Sequence, residues 1–324
     1  MKHTPKNRIP LLAAAVAGAG LLAGQAVASD ADFQARCNAP GVLTCVGFDS
    51  GADAVQNQTL YKAGDGRFLG SIDTGVKASG NGSLRFEIPS NSGQNSSGYW
   101  LGDLGAAFGQ NSRFYVQWRQ RFSQSMVATR FGGGGWKQII LHRDGPSCAS
   151  VQVVIQNINQ RGVPQGYSDC GADGFYVTMP DGDTLVQQGD YNCLRRSLRP
   201  EDCAEYVPDQ WLTFYLDVKV GTYGQPNSSV TGWVAYEGGP LRKFIDQPNW
   251  KFDFDSSTAD TFRKVQLTPY NTGKSSSLAH PTAFTWYDEL IVSRQPIAGP
   301  SGSPAPTPAD TKPPAPPSNV SFAP

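Results

Sequence analysis

Eight runs of the chain alternate apolar and polar residues with a period of two: SLRFEI (83–88), RFYVQWRQRF (113–122), KQIILH (137–142), SVQVVIQ (150–156), WLTFYLDVKV (211–220), VTGWVAYE (230–237), KVQLTPY (264–270) and AFTWYDELIV (283–292). That period sends successive side chains to opposite faces of a β-strand, and no stretch sustains the period of a helix. Clusters such as PSNSGQNSSG, drawn from a total of 36 Gly and 24 Pro, separate the runs and supply turns. The expected fold is all-β, with two antiparallel sheets packed as a β-jelly roll whose loops are tied by disulfides.

Both ends of the chain differ from this pattern. Residues 1–28 join a basic start, MKHTPKNR, to a short apolar run and the small-residue site Ala26-Val27-Ala28. This predicts a secretory signal peptide cut after Ala28 and an exported protein, extracellular or periplasmic. No other stretch reaches the roughly 18 to 20 apolar residues of a membrane span. Residues 299–324 are dominated by Pro, Ser and Ala, which predicts a disordered tail or linker. One jelly-roll domain is therefore expected at 29–298.

That domain holds six cysteines, Cys37, Cys45, Cys148, Cys170, Cys193 and Cys203, and an even number in an exported chain predicts disulfides. Proximity favours Cys37 with Cys45, Cys148 with Cys170 and Cys193 with Cys203, although the sequence leaves all the other pairings open. No CxxC or histidine spacing suits zinc, and nothing calls for an organic cofactor. A formal net charge of zero with 17% charged residues removes the electrostatic case for nucleic acid or a membrane surface as partner. A monomer is expected.

Alternation also assigns faces. Phe114, Val116, Trp118 and Phe122 point one way and Tyr115, Gln117, Arg119 and Arg121 the other. By the same rule Trp211, Thr213, Tyr215, Asp217 and Lys219 oppose an apolar set from Leu212 to Val220, while Gln152 and Gln156 oppose Val151, Val153 and Ile155. Gln266, Thr268 and Tyr270 oppose Val265 and Leu267; Gln138, Ile140 and His142 oppose Ile139 and Leu141. The outward sets are rich in planar amides and aromatic rings. Rings stack on sugar faces and amides pair with hydroxyls, so these strands predict a carbohydrate groove with a polysaccharide as partner.

GFDSGAD, ASGNGSLRFEI, RFYVQWRQRFS, the strand with Gln138 and His142, WLTFYLDVKVG and TWYDELIVS together resemble the concanavalin A-like lectin/glucanase jelly-roll superfamily. Within it they are most similar to polysaccharide lyases of the heparin lyase I and alginate or glucuronan lyase type. The resemblance spans roughly residues 45–295 and implies β-elimination on a uronic-acid-containing glycan. It implies Gln138 with Arg119 or Arg121 against the carboxylate, His142 as base and Tyr270 or Tyr215 as acid. Substrate contacts would come from Arg121, Gln117, Tyr115, Gln152, Gln156, Tyr215 and Gln266. One departure stands out: lyases of this fold carry Gln-Ile-His, whereas Gln138 and His142 lie four apart, which stretches their separation from about 7 Å to about 13 Å.

Retaining glucanases need two carboxylates about 5 Å apart, and no Glu-x-Asp-x-x-Glu run exists; Glu87, Asp217 and Glu237 read as scattered solvated singles. In TWYDELIVS, Asp288 falls on the side of Phe284, Trp286, Leu290 and Val292, where a bare carboxylate is costly. Something must neutralise it. Jelly rolls of the resembling type imply a structural Ca²⁺ bound by Asp49 and Asp288, a fitting ion for oxygen ligands; an arginine or hydrogen-bond partner is the alternative. RFGGGG lacks the features of a phosphate loop and reads as a mobile rim loop. The function expected is a secreted polysaccharide lyase, with a non-catalytic, lectin-like carbohydrate-binding module of the same fold as the alternative.

Overall fold

The computed structural model describes residues 29–53, 59–61, 70–93, 97–131, 135–145, 152–157, 162–167, 177–178, 184–185, 187–188, 204–252, 260–272 and 274–300. Residues 1–28, glycines 132–134, the chain beyond 300, and Cys148, Cys170, Cys193 and Cys203 lie outside them. The elements are α1 (Asp30–Cys37), β1 (Val42–Val46), β2 (Thr59–Tyr61), β3 (Gly70–Asp73), β4 (Ser83–Ile88), β5 (Tyr99–Phe108), β6 (Ser112–Phe122), α2 (Gln124–Ala128), β7 (Gly135–His142), β8 (Gln152–Asn157) and β9 (Gln165–Tyr167). They continue with β10 (Val177–Thr178), β11 (Thr184–Leu185), β12 (Gln187–Gln188), β13 (Trp211–Val220), β14 (Ser228–Tyr236), β15 (Arg242–Trp250), β16 (Phe262–Leu267), β17 (Asn271–Thr272) and β18 (Ala283–Ser293).

Two antiparallel sheets form the jelly-roll sandwich. The first runs β15-β14-β13-β6-β18-β4-β3, with β1 also on β18; the second runs β12-β9-β8-β7-β16-β5-β2, with β17 also on β7. Between them the alternating apolar sets meet as expected: Phe114, Val116, Trp118, Phe122, Leu212, Phe214 and Leu216 from the first sheet, Ile139, Leu141, Val153, Ile155, Val265 and Leu267 from the second. Trp118 stacks on Phe214 at 5.1 Å and Phe108 on Phe114 at 4.5 Å. Each such side chain, fully buried, contributes about 1.5–3 kcal/mol. No helix among the described residues is long and apolar enough to cross a membrane.

Helix α1 begins at Ser29, whose hydroxyl accepts the Asp32 N–H at 3.2 Å, a side-chain cap for an otherwise orphan donor. It lies on the outer face of the first sheet, burying Phe33 and Arg36, and the Cys37–Cys45 disulfide joins its end to β1. That bridge is one of the three pairings favoured by proximity; the other two involve residues outside those described.

Of the register shifts among the described strands, two bear on the expected site. In β7 the pairing with β8 shifts between Lys137 and Ile139. In β18 the pairing with β6 shifts between Asp288 and Ile291, where Glu289 takes a left-handed φ of 49°. An extra residue on one strand reverses which face every later residue occupies. Both bulges change the expected site.

Candidate active site on the second sheet

The polar residues read as one groove fall on two opposite faces of the sandwich. Tyr115, Gln117, Arg119, Arg121 and Tyr215 belong to β6 and β13 in the first sheet, whereas His142, Gln152, Gln156 and Gln266 belong to β7, β8 and β16 in the second. Parity within a strand does not say which sheet the strand joins, so pooling the outward sets merged two surfaces.

On the first sheet these side chains are occupied by the protein itself. Gln117 accepts from the Arg36 guanidinium at 2.6 Å and donates to the Ala298 carbonyl at 3.0 Å. Arg119 pairs with Glu237 at 2.6 Å and with Glu289 at 3.5 Å, Glu289 also pairs with Arg36, and Arg121 reaches Asp209 at 3.4 Å. Tyr115 and Tyr215 pack with Phe33, Trp233, Ile291 and Ile297, and burial pushes the Tyr215 phenol up. Their roles as substrate contacts, and those of Arg119 and Tyr215 in chemistry, are therefore not supported by where they sit. Glu237 and Asp217, read as solvated singles, are the partners of Arg119 and Arg113.

Gln138 is also displaced. The bulge turns its side chain between the sheets, fully buried, where its amide donates to Gln120 at 2.9 Å and accepts the Tyr206 hydroxyl. The outward position passes to Lys137, which the unbroken alternation had assigned to the core. A lysine sharing parity with Ile139 and Leu141, preceded by Trp136 at groove parity, was the signal of a bulge in the sequence.

Lys137 is the centre of a row that crosses the second sheet. It pairs with Gln156 on β8, and Gln156 pairs with Gln165 on β9. On the other side its N–H donates to the Tyr270 carbonyl at 2.9 Å, and its ammonium lies 4.9 Å from the centre of the Tyr270 ring. At about 4.8 Å per strand this row spans a sugar and its neighbours. Lys137 is only 8% exposed, and burial lowers its pKa to about 8.

Further along β7, Ile140 and His142 face the same way. Gln266 lies across from Ile140, and Gln152 and Lys264 flank His142. His142 is 1% exposed and neither ring nitrogen has a hydrogen-bond acceptor or donor well placed among the described residues. Desolvation lowers its pKa to about 4, the Arg143 backbone opposing this and the Lys264 charge adding to it. Lys264 is held by Asp103 at 2.5 Å and Asp144 at 3.4 Å. An imidazole of such low basicity is neutral in use and a weak proton acceptor, so Lys137 fits the role of base better than His142 does.

Asp288 faces outward with Trp286, because the β18 bulge separates it from Leu290 and Val292 in the core. Its carboxyl accepts the backbone N–H groups of Ala78 at 2.7 Å, Ser79 at 3.3 Å and Glu289 at 2.7 Å. Burial still raises its pKa to about 8. Asp49 accepts the Asn81 N–H, anchoring the same loop from its other side. Both carboxyls meet N–H donors where calcium would require open oxygens. Among the described residues no group of three or more His, Cys, Asp or Glu side chains could hold a metal. The two aspartates thus anchor the 78–81 loop through its backbone N–H groups.

No protein-family model matches the chain, and no curated protein matches it. Solved structures do. An alginate lyase of polysaccharide lyase family 14 from Aplysia kurodai superposes with a TM-score of 0.53 at 13% identity, over 78% of this chain and 98% of that one. The likeness is one of fold. An alginate lyase from a Chlorella virus aligns at 12% identity over 78% of this chain and 100% of that one, with a TM-score of 0.47. An endo-β-1,4-glucuronan lyase from Trichoderma reesei aligns at 13% identity over 72% and 93%, with a TM-score of 0.43.

Proposed function

We propose that the chain is a secreted polysaccharide lyase that cleaves a uronic-acid-containing glycan by β-elimination on the outer face of the second sheet. The observation that carries this reading is the desolvated Lys137 amine against the Tyr270 ring, in a row with Gln156 and Gln165. The fold shared with an alginate lyase supports it, and the Cys37–Cys45 bridge suits export to an oxidising compartment.

In this reaction the uronate carboxylate accepts hydrogen bonds from the Gln156 and Gln165 amides, which stabilise the charge that develops when C5 loses its proton. Neutral Lys137 takes that proton. The electron pair forms the C4–C5 double bond, the bond from C4 to the glycosidic oxygen breaks, and the Tyr270 hydroxyl protonates the departing oxygen. A lysine with a pKa of about 8 holds a useful neutral fraction near pH 8, where an ordinary lysine is almost wholly charged. His142, Gln152 and Gln266 extend the face to neighbouring sugars.

The test is incubation of the purified protein with alginate, glucuronan, heparin, pectin and neutral glucans, monitoring ultraviolet absorbance of the unsaturated uronate end. Absorbance should rise with at least one polyuronate and with no neutral glucan. Binding of a polyuronate without product would replace the lyase reading with a carbohydrate-binding module.

A further inference from the structure

The Gln138 amide is fully buried among apolar residues and every polar atom of the residue that faces the core is engaged. Its Nε2 donates to Gln120 at 2.9 Å, its Oε1 accepts from Tyr206, and its carbonyl accepts the Tyr287 hydroxyl at 2.8 Å and the Thr268 N–H at 3.2 Å. Gln120 is itself fixed, donating to Thr285 at 3.0 Å and accepting from Trp118 at 3.2 Å. Such a network occurs at the one position of β7 where the ladder to β8 slips. A regular β7 would send Gln138 and Trp136 outward and Lys137 inward toward Phe122 and Tyr206, against which Trp136 packs in the bulged strand.

We infer that Gln138 is a positioning residue: its buried amide, clamped between Gln120 and Tyr206, holds the β7 bulge that turns Lys137 onto the outer face beside Gln156 and Tyr270. The inference rests on the proposed role of Lys137 for its consequence in turnover, but not for its structural content. A buried amide is satisfied only in the bulged register, because that register alone brings it to Gln120 and Tyr206. The bulge therefore has a polar lock inside the sandwich and a functional side chain outside it. Gln156 on β8 and the titratable Tyr270 face Lys137.

Three variants test this in the full chain. Gln138→Leu removes the lock. Tyr206→Phe removes one hydroxyl while keeping the ring packed on Phe122 and Trp136. Gln138→Glu, held protonated by burial, retains one donor and one acceptor in the amide's place. The first readout is the titration of Lys137, monitored by NMR of isotope-labelled lysine side chains with Lys137→Met for assignment. The expected result is a midpoint near 8 in the wild type, moved further down in Gln138→Leu, where the regular register carries Lys137 between the sheets, and part of the way in Tyr206→Phe, with Gln138→Glu close to the wild type.

The second readout is turnover, where displacing the base by about 1 Å is expected to lower kcat on the order of a hundredfold with little change in KM. If Gln138→Leu does not fold, Tyr206→Phe and Gln138→Glu decide. An unchanged Lys137 midpoint in folded Tyr206→Phe and Gln138→Leu, or in Tyr206→Phe alone if Gln138→Leu does not fold, overturns the inference. A wild type that forms no unsaturated product overturns the lyase reading alone, since the titration still reports the position of Lys137.

Discussion

The two outer faces of the sandwich carry similar residue types and use them in opposite ways. On the first sheet, Arg36, Gln117, Arg119, Glu237 and Glu289 are joined in a chain of ion pairs and hydrogen bonds beneath α1 and the 297–298 segment. On the second, Lys137 and His142 are just as buried, and there desolvation pushes both pKa values down. The arginines are paired with carboxylates; burial leaves the Lys137 amine less basic than an ordinary lysine. Burial inside an ion-pair chain marks architecture, and burial that lowers basicity marks a site where a proton can move.

The comparison breaks most directly with Lys137→Ala, which should reduce turnover of the polyuronate substrate by about 10²–10⁴ without lowering the melting temperature. Retained activity would move the chemistry away from this row. Arg119→Ala should do the reverse. It removes one of the two arginines that pair with the fully buried Glu289 and the partner of Glu237, costing about 1–3 kcal/mol in denaturant unfolding, with kcat per folded molecule unchanged. Loss of activity at unchanged stability would return Arg119 to the groove.

Smaller effects sharpen the same contrast. Replacing Cys37 and Cys45 with serine opens the short loop that ties α1 over the first sheet, at roughly 2–3 kcal/mol, again without effect on kcat. For pH, the folded-state pKa of Lys137 lies below its unfolded value, so the unfolded chain binds more protons between about 8 and the ordinary lysine value of 10.5. That contribution makes stability rise with pH through this window, and Lys137→Met should remove the rise in pH-dependent melting curves. Turnover should increase over the lower edge of the same window as Lys137 deprotonates. Last, a chelator should leave the melting temperature where it was, because backbone N–H groups satisfy Asp49 and Asp288; a chelator-dependent fall would restore calcium to that loop.

Reading the alternation correctly separated core from surface for Phe114, Val116 and Trp118, for Leu212, Phe214 and Leu216, and for Val153, Ile155, Val265 and Leu267. It placed His142, Gln152, Gln156 and Gln266 on an outer face. It failed at Gln138 and Asp288, each beside a bulge, where one added residue reverses the parity along the rest of the strand. It also missed Gln165, which lies outside the eight alternating runs, and Lys137, whose core parity was itself the anomaly to notice.

By itself the sequence determined an all-β sandwich and the inward set of most strands, and it favoured the Cys37–Cys45 pairing by proximity without choosing it. These come from local periodicity and short-range chain geometry, which neighbouring residues settle among themselves. Only the tertiary structure decided which outward sets share a face, which of them the N-terminal helix covers, and which of Lys137 and Gln138 turns outward. Strand partners distant in sequence fix those choices: Gln120 and Tyr206 for the β7 bulge, Arg36 and Arg119 for Glu289 in β18. No local pattern contains those partners, because the hydrogen bonds and ion pairs that select the register form only when the two sheets are packed.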